Sequence, residues 1–145
     1  MWHTVTLEIA TPGKGLHDIT AQIQAQVEAS GVQVGVCFVF VPHTSASLVL
    51  NENWDPTARA DLEEAFERLV PPGQPWFRHT LEGADDMPAH IRAALTLPVV
   101  PIPIAQGRLA LGTWQGVYLF EHRARPHRRR VLVWIWGEGH TSGPG

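Results

Sequence analysis

Between His79 and His90 the chain reads His-Thr-Leu-Glu-Gly-Ala-Asp-Asp-Met-Pro-Ala-His, placing two histidines and three carboxylates within twelve residues. Imidazole and carboxylate are the groups that bind divalent metals and move protons near neutral pH. Gly83 loosens the backbone, and Asp85, Asp86 and Pro88 then open a helix, since carboxylates and proline both suit a first helical turn. On a helix starting near Asp85, Asp86 and His90 stand four residues apart on one face. His79, Asp86 and His90 are therefore expected to converge on one point, which suits a divalent ion, zinc or magnesium, or an acid/base site. Imidazole favours zinc, whereas magnesium prefers oxygen ligands. The plainer reading of the same residues is a capped helix flanked by surface histidines.

Other residues with chemical potential lie at the ends of apolar segments. Pro42-His43-Thr44-Ser45-Ala46 interrupts two strand-like runs, a natural place for chemistry. His43 there is a candidate ligand or general acid/base, or a histidine hydrogen-bonded to Thr44 or Ser45. Ser45 beside it lacks the elbow motif of an activated nucleophile. Glu52 and Glu121 each close an apolar strand and face either a pocket or solvent. Gln115, next to Trp114, can read the edge of a ring. Arg123 and Arg125 can bind phosphate, although a run of charge is usually a solvated face.

These groups have to be positioned by about seven strands and three helices. Trp2 to Ile9 alternates with period two. Ile19, Ile23 and Val27 mark a helix capped by Asp18 or Thr20 and closed at Gly31, with His17 in the loop before it. Val32 to Val41 is an almost unbroken apolar run, the signature of a central strand covered on both faces. Asp55-Pro56 opens a second helix to about Val70, with Asp61, Glu63, Glu64, Glu67 and Arg68 on its solvated face. A stiff, proline-rich connection leads to the third helix, about Asp85 to Leu95. Pro98, Pro101 and Pro103 punctuate an apolar stretch that reads as an edge strand or an extended connection. Gln106-Gly107 is a hairpin turn, Val117 to Glu121 a strand, and Val131 to Trp136 a last strand. The tail 140–145 is predicted to be flexible. The fold class is α+β, with mostly antiparallel sheets packed in a sandwich-like way within one domain over residues 1–139. Three helices do not cover every apolar strand, so a second sheet or a partner subunit is expected to supply the rest.

The bulk properties narrow the function. At 145 residues with 44% hydrophobic and 17% charged side chains, the chain can bury a sizeable core. A net charge of −3 argues against a general nucleic-acid binder. No apolar run approaches the roughly 20 residues that span a bilayer, and the N-terminus does not read as a signal peptide, so a cytoplasmic protein without membrane contact is expected. The single cysteine, Cys37, sits in an apolar run and reads as a small buried hydrophobe.

Together, Pro42-His43-Thr44-Ser45-Ala46, Asn51-Glu52, the His79 to His90 segment, Leu111-Gly112-Thr113-Trp114-Gln115 and Glu121-His122-Arg123 resemble the YjbQ family in order and spacing over about residues 5 to 137. The resemblance implies packed β-sheets and helices assembled as a homotrimer, and for some members secondary thiamine-phosphate synthase activity. That reaction joins a pyrimidine diphosphate to a thiazole phosphate and expels pyrophosphate. Position by position, it makes His43, Glu52, Gln115 and Glu121 candidate catalytic groups. Thr44, Ser45, Asn51, Thr113 and Arg123 become candidate substrate contacts, and His79, Asp86 and His90 the ion site. Where relatives often carry Glu-x-Arg-Gly, this chain has Ala124 after Arg123. The alternatives are a metal-dependent hydrolase or phosphatase, and a non-enzymatic module binding a small anion or metabolite.

Overall fold

The computed structural model describes residues 1–139; the tail predicted for 140–145 lies outside the described residues. Eleven elements follow one another: β1 (Trp2–Thr11), β2 (Gly15–Asp18), α1 (Thr20–Ser30), β3 (Val32–Phe40), β4 (Ala46–Glu52), α2 (Pro56–Leu69), α3 (Asp86–Leu95), β5 (Val99–Ala105), β6 (Arg108–Leu109), β7 (Gln115–Glu121) and β8 (His127–Gly139). They form a five-stranded sheet in the order β1-β8-β3-β5-β6 and a three-stranded sheet in the order β2-β7-β4. Every pairing is antiparallel. The class is α+β with three helices.

Alternation along the strands sorts side chains between two faces. The inward residues of the larger sheet, among them Cys37, Val39, Ile102, Val133 and Ile135, pack against Leu48, Val117 and Leu119 of the smaller sheet and against Ile23 and Val27 of α1. On the other side of the smaller sheet, Leu16, Tyr118 and Phe120 are covered by Leu62 and Phe66 of α2. The α2 start follows from capping chemistry: Asp55 accepts the Thr57 N–H at 2.9 Å and Pro56 occupies the first turn.

Three expectations need correcting. His17 lies in β2, a strand too short to announce itself, paired with Leu119 of β7. The face of α2 taken as solvated also makes contacts, because Glu63 accepts the Leu16 N–H at 3.1 Å and Glu67 meets Lys14 and Arg92 at 3.1 and 3.2 Å. Finally, β3 is central but covered on one face only. Its outward Phe40 joins Trp2, Trp134 and Trp136 in an aromatic surface whose members are 41–47% exposed. Among the described residues no helix is long and apolar enough to cross a membrane.

Cys37 is completely buried, and burial pushes its thiol up to about 12. A thiolate reagent at pH 8 should therefore leave native protein unlabelled and modify the thiol once the chain is denatured. Rapid labelling under native conditions would show that β3 opens.

Candidate functional site

His79 comes from the proline-rich connection, and Asp86 and His90 from the first two turns of α3. One donor atom from each falls within 4.8 Å of the others. Asp86 is 3% exposed, and its Oδ2 lies 2.8 Å from His79 Nε2 and 3.2 Å from His90 Nε2. The other oxygen, Oδ1, accepts a 2.6 Å hydrogen bond from Arg123 Nη1.

The orientation of His90 is fixed from behind. Its Nδ1 lies 2.8 Å from the Thr44 carbonyl oxygen. A carbonyl only accepts, so Nδ1 carries the hydrogen and Nε2 of the neutral ring presents a lone pair to Asp86 Oδ2. Two lone pairs face each other across that gap, an arrangement relieved by a proton or a cation between them. Backing of a ring N–H by a carbonyl is the arrangement commonly found behind metal-binding histidines.

Arg123 is the clamp on this carboxylate. It also donates from Nε to Asp85 Oδ2 at 3.1 Å and from Nη2 to the Glu82 carbonyl at 2.8 Å. Partial burial alone would raise the Asp85 carboxyl, but the Ala124 N–H and the Arg123 guanidinium outweigh it and hold the group below its ordinary value.

Behind Arg123 lies a second buried charge pair. Glu121 is fully buried and accepts from Arg129 Nε at 2.7 Å and Nη2 at 2.5 Å, from Thr11 Oγ1 at 2.6 Å and from the Arg123 N–H at 3.1 Å. Burial would raise its pKa, yet these donors, Arg129 foremost, lower it. Every part of that carboxylate is engaged, so Glu121 orients its neighbours and does not exchange protons with a ligand. Arg129 also donates to Ser45 Oγ at 2.9 Å. A closed circuit results, running from Asp86 through Arg123, Glu121, Arg129, the 44–45 loop and His90 back to Asp86.

His43 sits on the same loop. Its Nε2 accepts the Arg130 N–H at 2.9 Å. Burial, then the Arg129 and Arg130 cations, lowers its pKa, so the ring is neutral with its hydrogen on Nδ1. This is a hydrogen-bond donor to a ligand more readily than a general base.

The remaining candidates do not join this cluster. Gln115 and Glu121 occupy opposite ends of β7, roughly 20 Å apart at a strand's rise per residue. Glu52 pairs with Gln115 in the register, and Ala46 with Glu121. At that far end Glu52 accepts the Trp54 and Asp55 N–H groups at 3.1 and 3.0 Å, and Gln115 Oε1 accepts the Gly112 N–H at 2.8 Å. Thr113 is exposed and Asn51 half-buried nearby.

Sequence reasoning overlooked several buried polar groups. Arg129 stands in an arginine-rich run, 123–130, whose residue types alone read as a solvated face, yet it is 5% exposed. Its phase is readable, because it stands two, four and six residues before Val131, Val133 and Ile135, all inward. His122 is 1% exposed, with Nε2 2.8 Å from Ser47 Oγ, which in turn meets Thr96 Oγ1. Burial, and secondarily Arg92, presses its pKa down to about 3. No local signal in the sequence marks it.

Fold and site together define a small two-sheet α+β protein with a histidine–carboxylate cluster at the start of its third helix, braced by buried arginines. The chain belongs to the YjbQ family: the family model described as UPF0047 protein YjbQ-like matches residues 4–138. It is 57% identical over 136 residues to a UPF0047 protein of Synechocystis sp., covering 94% of this chain and 92% of that one. With the UPF0047 protein YjbQ of Escherichia coli O157:H7 the identity is 41% over 139 residues, covering 95% and 100%. Among solved structures, the hypothetical protein APE1520 from Aeropyrum pernix K1 superposes with a TM-score of 0.85 at 30% identity, covering 94% and 99%.

Two measurements test this account. Arg123→Met keeps the aliphatic stem but strands the buried Asp86 carboxylate; urea denaturation should show a loss of about 3–5 kcal/mol, whereas a loss below about 1 kcal/mol would show the clamp to be dispensable. For His122, the folded pKa lies below its ordinary 6.5, so the unfolded chain binds the extra proton. Its contribution is complete above about pH 6.5 and declines toward pH 3, by at most about 1.4 kcal/mol per pH unit. His122→Asn should flatten the stability profile between pH 6.5 and 4, and parallel profiles would remove His122 as the cause.

Proposed function

We propose that this protein is a metal-dependent enzyme acting on a small phosphorylated molecule, with a transition-metal ion, zinc foremost, held by His79, Asp86 and His90. The observation that carries the reading is the convergence of two imidazole nitrogens on Asp86 Oδ2, with His90 anchored on the Thr44 carbonyl. Two nitrogens and one oxygen suit zinc better than magnesium. Three protein ligands are also the usual complement of a catalytic zinc site.

The protein's own groups supply the rest. Arg123 neutralises the inner oxygen of Asp86, leaving the outer one for a cation. Arg125 and Arg130 are exposed, and the Arg130 backbone is tied to His43, so positive charge is available around the 42–45 loop for a phosphate. A bound divalent ion would stabilise developing negative charge on a phosphate or diphosphate oxygen. The transfer implied by the family resemblance, thiamine-phosphate synthesis with pyrophosphate as leaving group, makes that demand. Hydrolysis of a phosphate ester is the second reading, favoured by the histidine content, because such a site suits activation of water.

A homotrimer fits either reading. Its support is the exposed surface of Trp2, Phe40, Trp134 and Trp136, and the separation of Gln115 and Glu52 from His79 and His90 within one chain. A neighbouring subunit can bring the far end of β7 to the cluster.

Zinc titrated into chelator-treated protein should bind saturably. His79→Ala and His90→Ala should each weaken binding by at least about tenfold, the scale seen when even supporting groups of a metal site are lost. Thiamine-phosphate formation from the two phosphorylated precursors, or release of phosphate from an ester, should disappear with chelator and return with zinc. Absence of saturable zinc binding would end the metal reading, and zinc-loaded protein inert toward both substrate types would end the enzymatic one.

A further inference from the structure

Two cavities meet at the His79 ring, and neither belongs to the buried charge circuit. One, of about 490 Å³, is lined by Trp76, Phe77, Arg78, His79 and Met87. The other, of about 310 Å³, shares Phe77, His79 and Met87 and extends under Thr80 and Gly83. Both fall in the size range of small-molecule sites, roughly 300–1,000 Å³.

The walls are unusual for a surface connection. Trp76 is 67% exposed although indole is among the most hydrophobic side chains. It meets Phe77 edge-to-face with centroids 4.5 Å apart. Pro71, Pro72 and Pro75 restrict the backbone leading to this pair. Beside them, Arg78 is exposed and forms no salt bridge among the described residues. An aromatic wall, a thioether, an uncommitted guanidinium and one histidine of the proposed ion site thus surround a single space.

We infer that Trp76, Phe77 and Met87 form a subsite for the ring of an aryl or heteroaryl phosphate, whose phosphate is drawn toward Arg78 and the His79 side of the cluster. The inference rests on the proposed metal-dependent reading for the position of the phosphate, and on the cavity alone for the ring. It moves ring recognition away from Gln115 and Trp114, which stand at the far end of β7. Trp76 is then a specificity-determining residue that discriminates through stacking and leaves the chemical groups untouched.

The test compares phenylphosphonate with methylphosphonate by calorimetry, with and without zinc, in wild-type protein, Trp76→Ala and Arg78→Ala. Wild-type protein should bind phenylphosphonate roughly five- to tenfold more tightly than methylphosphonate, in line with one aromatic contact. Trp76→Ala should bring that ratio close to one while leaving methylphosphonate affinity unchanged, and Arg78→Ala should weaken both ligands. Equal affinities in wild-type protein, a ratio that survives Trp76→Ala, or no binding of either phosphonate would overturn the subsite. A change of molecular mass in solution on Trp76→Ala would overturn it in favour of a subunit contact. If zinc fails to bind while the aromatic preference persists, the metal reading falls and the ring subsite stands.

Discussion

A single guanidinium, that of Arg123, holds the start of α3 against the end of β7. It bridges Asp85 and Asp86 on the helix and reaches the Glu82 carbonyl in the preceding turn. Its own backbone is bonded to Glu121. Asp86 is buried, and a buried carboxylate is tolerated only when a cation and hydrogen bonds compensate its lost hydration. The position of both histidines relative to Asp86 depends on that compensation, because Asp86 Oδ2 is aimed only while Oδ1 is occupied.

The second buried pair, Glu121 with Arg129, extends the same constraint into the larger sheet. Glu121 ends β7 and Arg129 lies in β8, so their bidentate contact ties the two sheets together beside the 42–45 loop. Through Ser45 and Thr44 this loop fixes His90 from behind, and through His43 it meets the Arg130 backbone. Side chains far apart along the chain are thereby locked with few rotamers available, which is the condition for a preorganised site. The aromatic outer face of the larger sheet is a separate feature: it lies outside that circuit and leaves substantial indole surface exposed.

Much of the fold was legible because its signals are local. The period of two in β1, the fourfold spacing of Ile19, Ile23 and Val27, the Asp55-Pro56 start of α2 and the Gln106-Gly107 turn each depend on neighbours in sequence. Gln106 and Gly107 both adopt positive φ, 53° and 75°, as that hairpin requires. By contrast, β2 is four residues long and exists because β7 offers it a partner. The burial of His122 and Arg92 likewise depends on which elements cover them, and polar residue types carry no advance notice of it.

For the candidate site, the sequence by itself placed Asp86 and His90 on one helical face and His79 just before it, since a four-residue spacing and a short connection leave little choice. It also supplied the order of motifs that marks the family. Only the tertiary structure decided that Arg123 turns inward as a clamp, that the inward Arg129 meets Glu121 and Ser45, that Glu121 is fully engaged, and that Glu52 and Gln115 stand a strand's length away. The physical reason is that antiparallel pairing brings together residues distant in sequence, such as Ala46 and Glu121, while keeping the two ends of one strand apart.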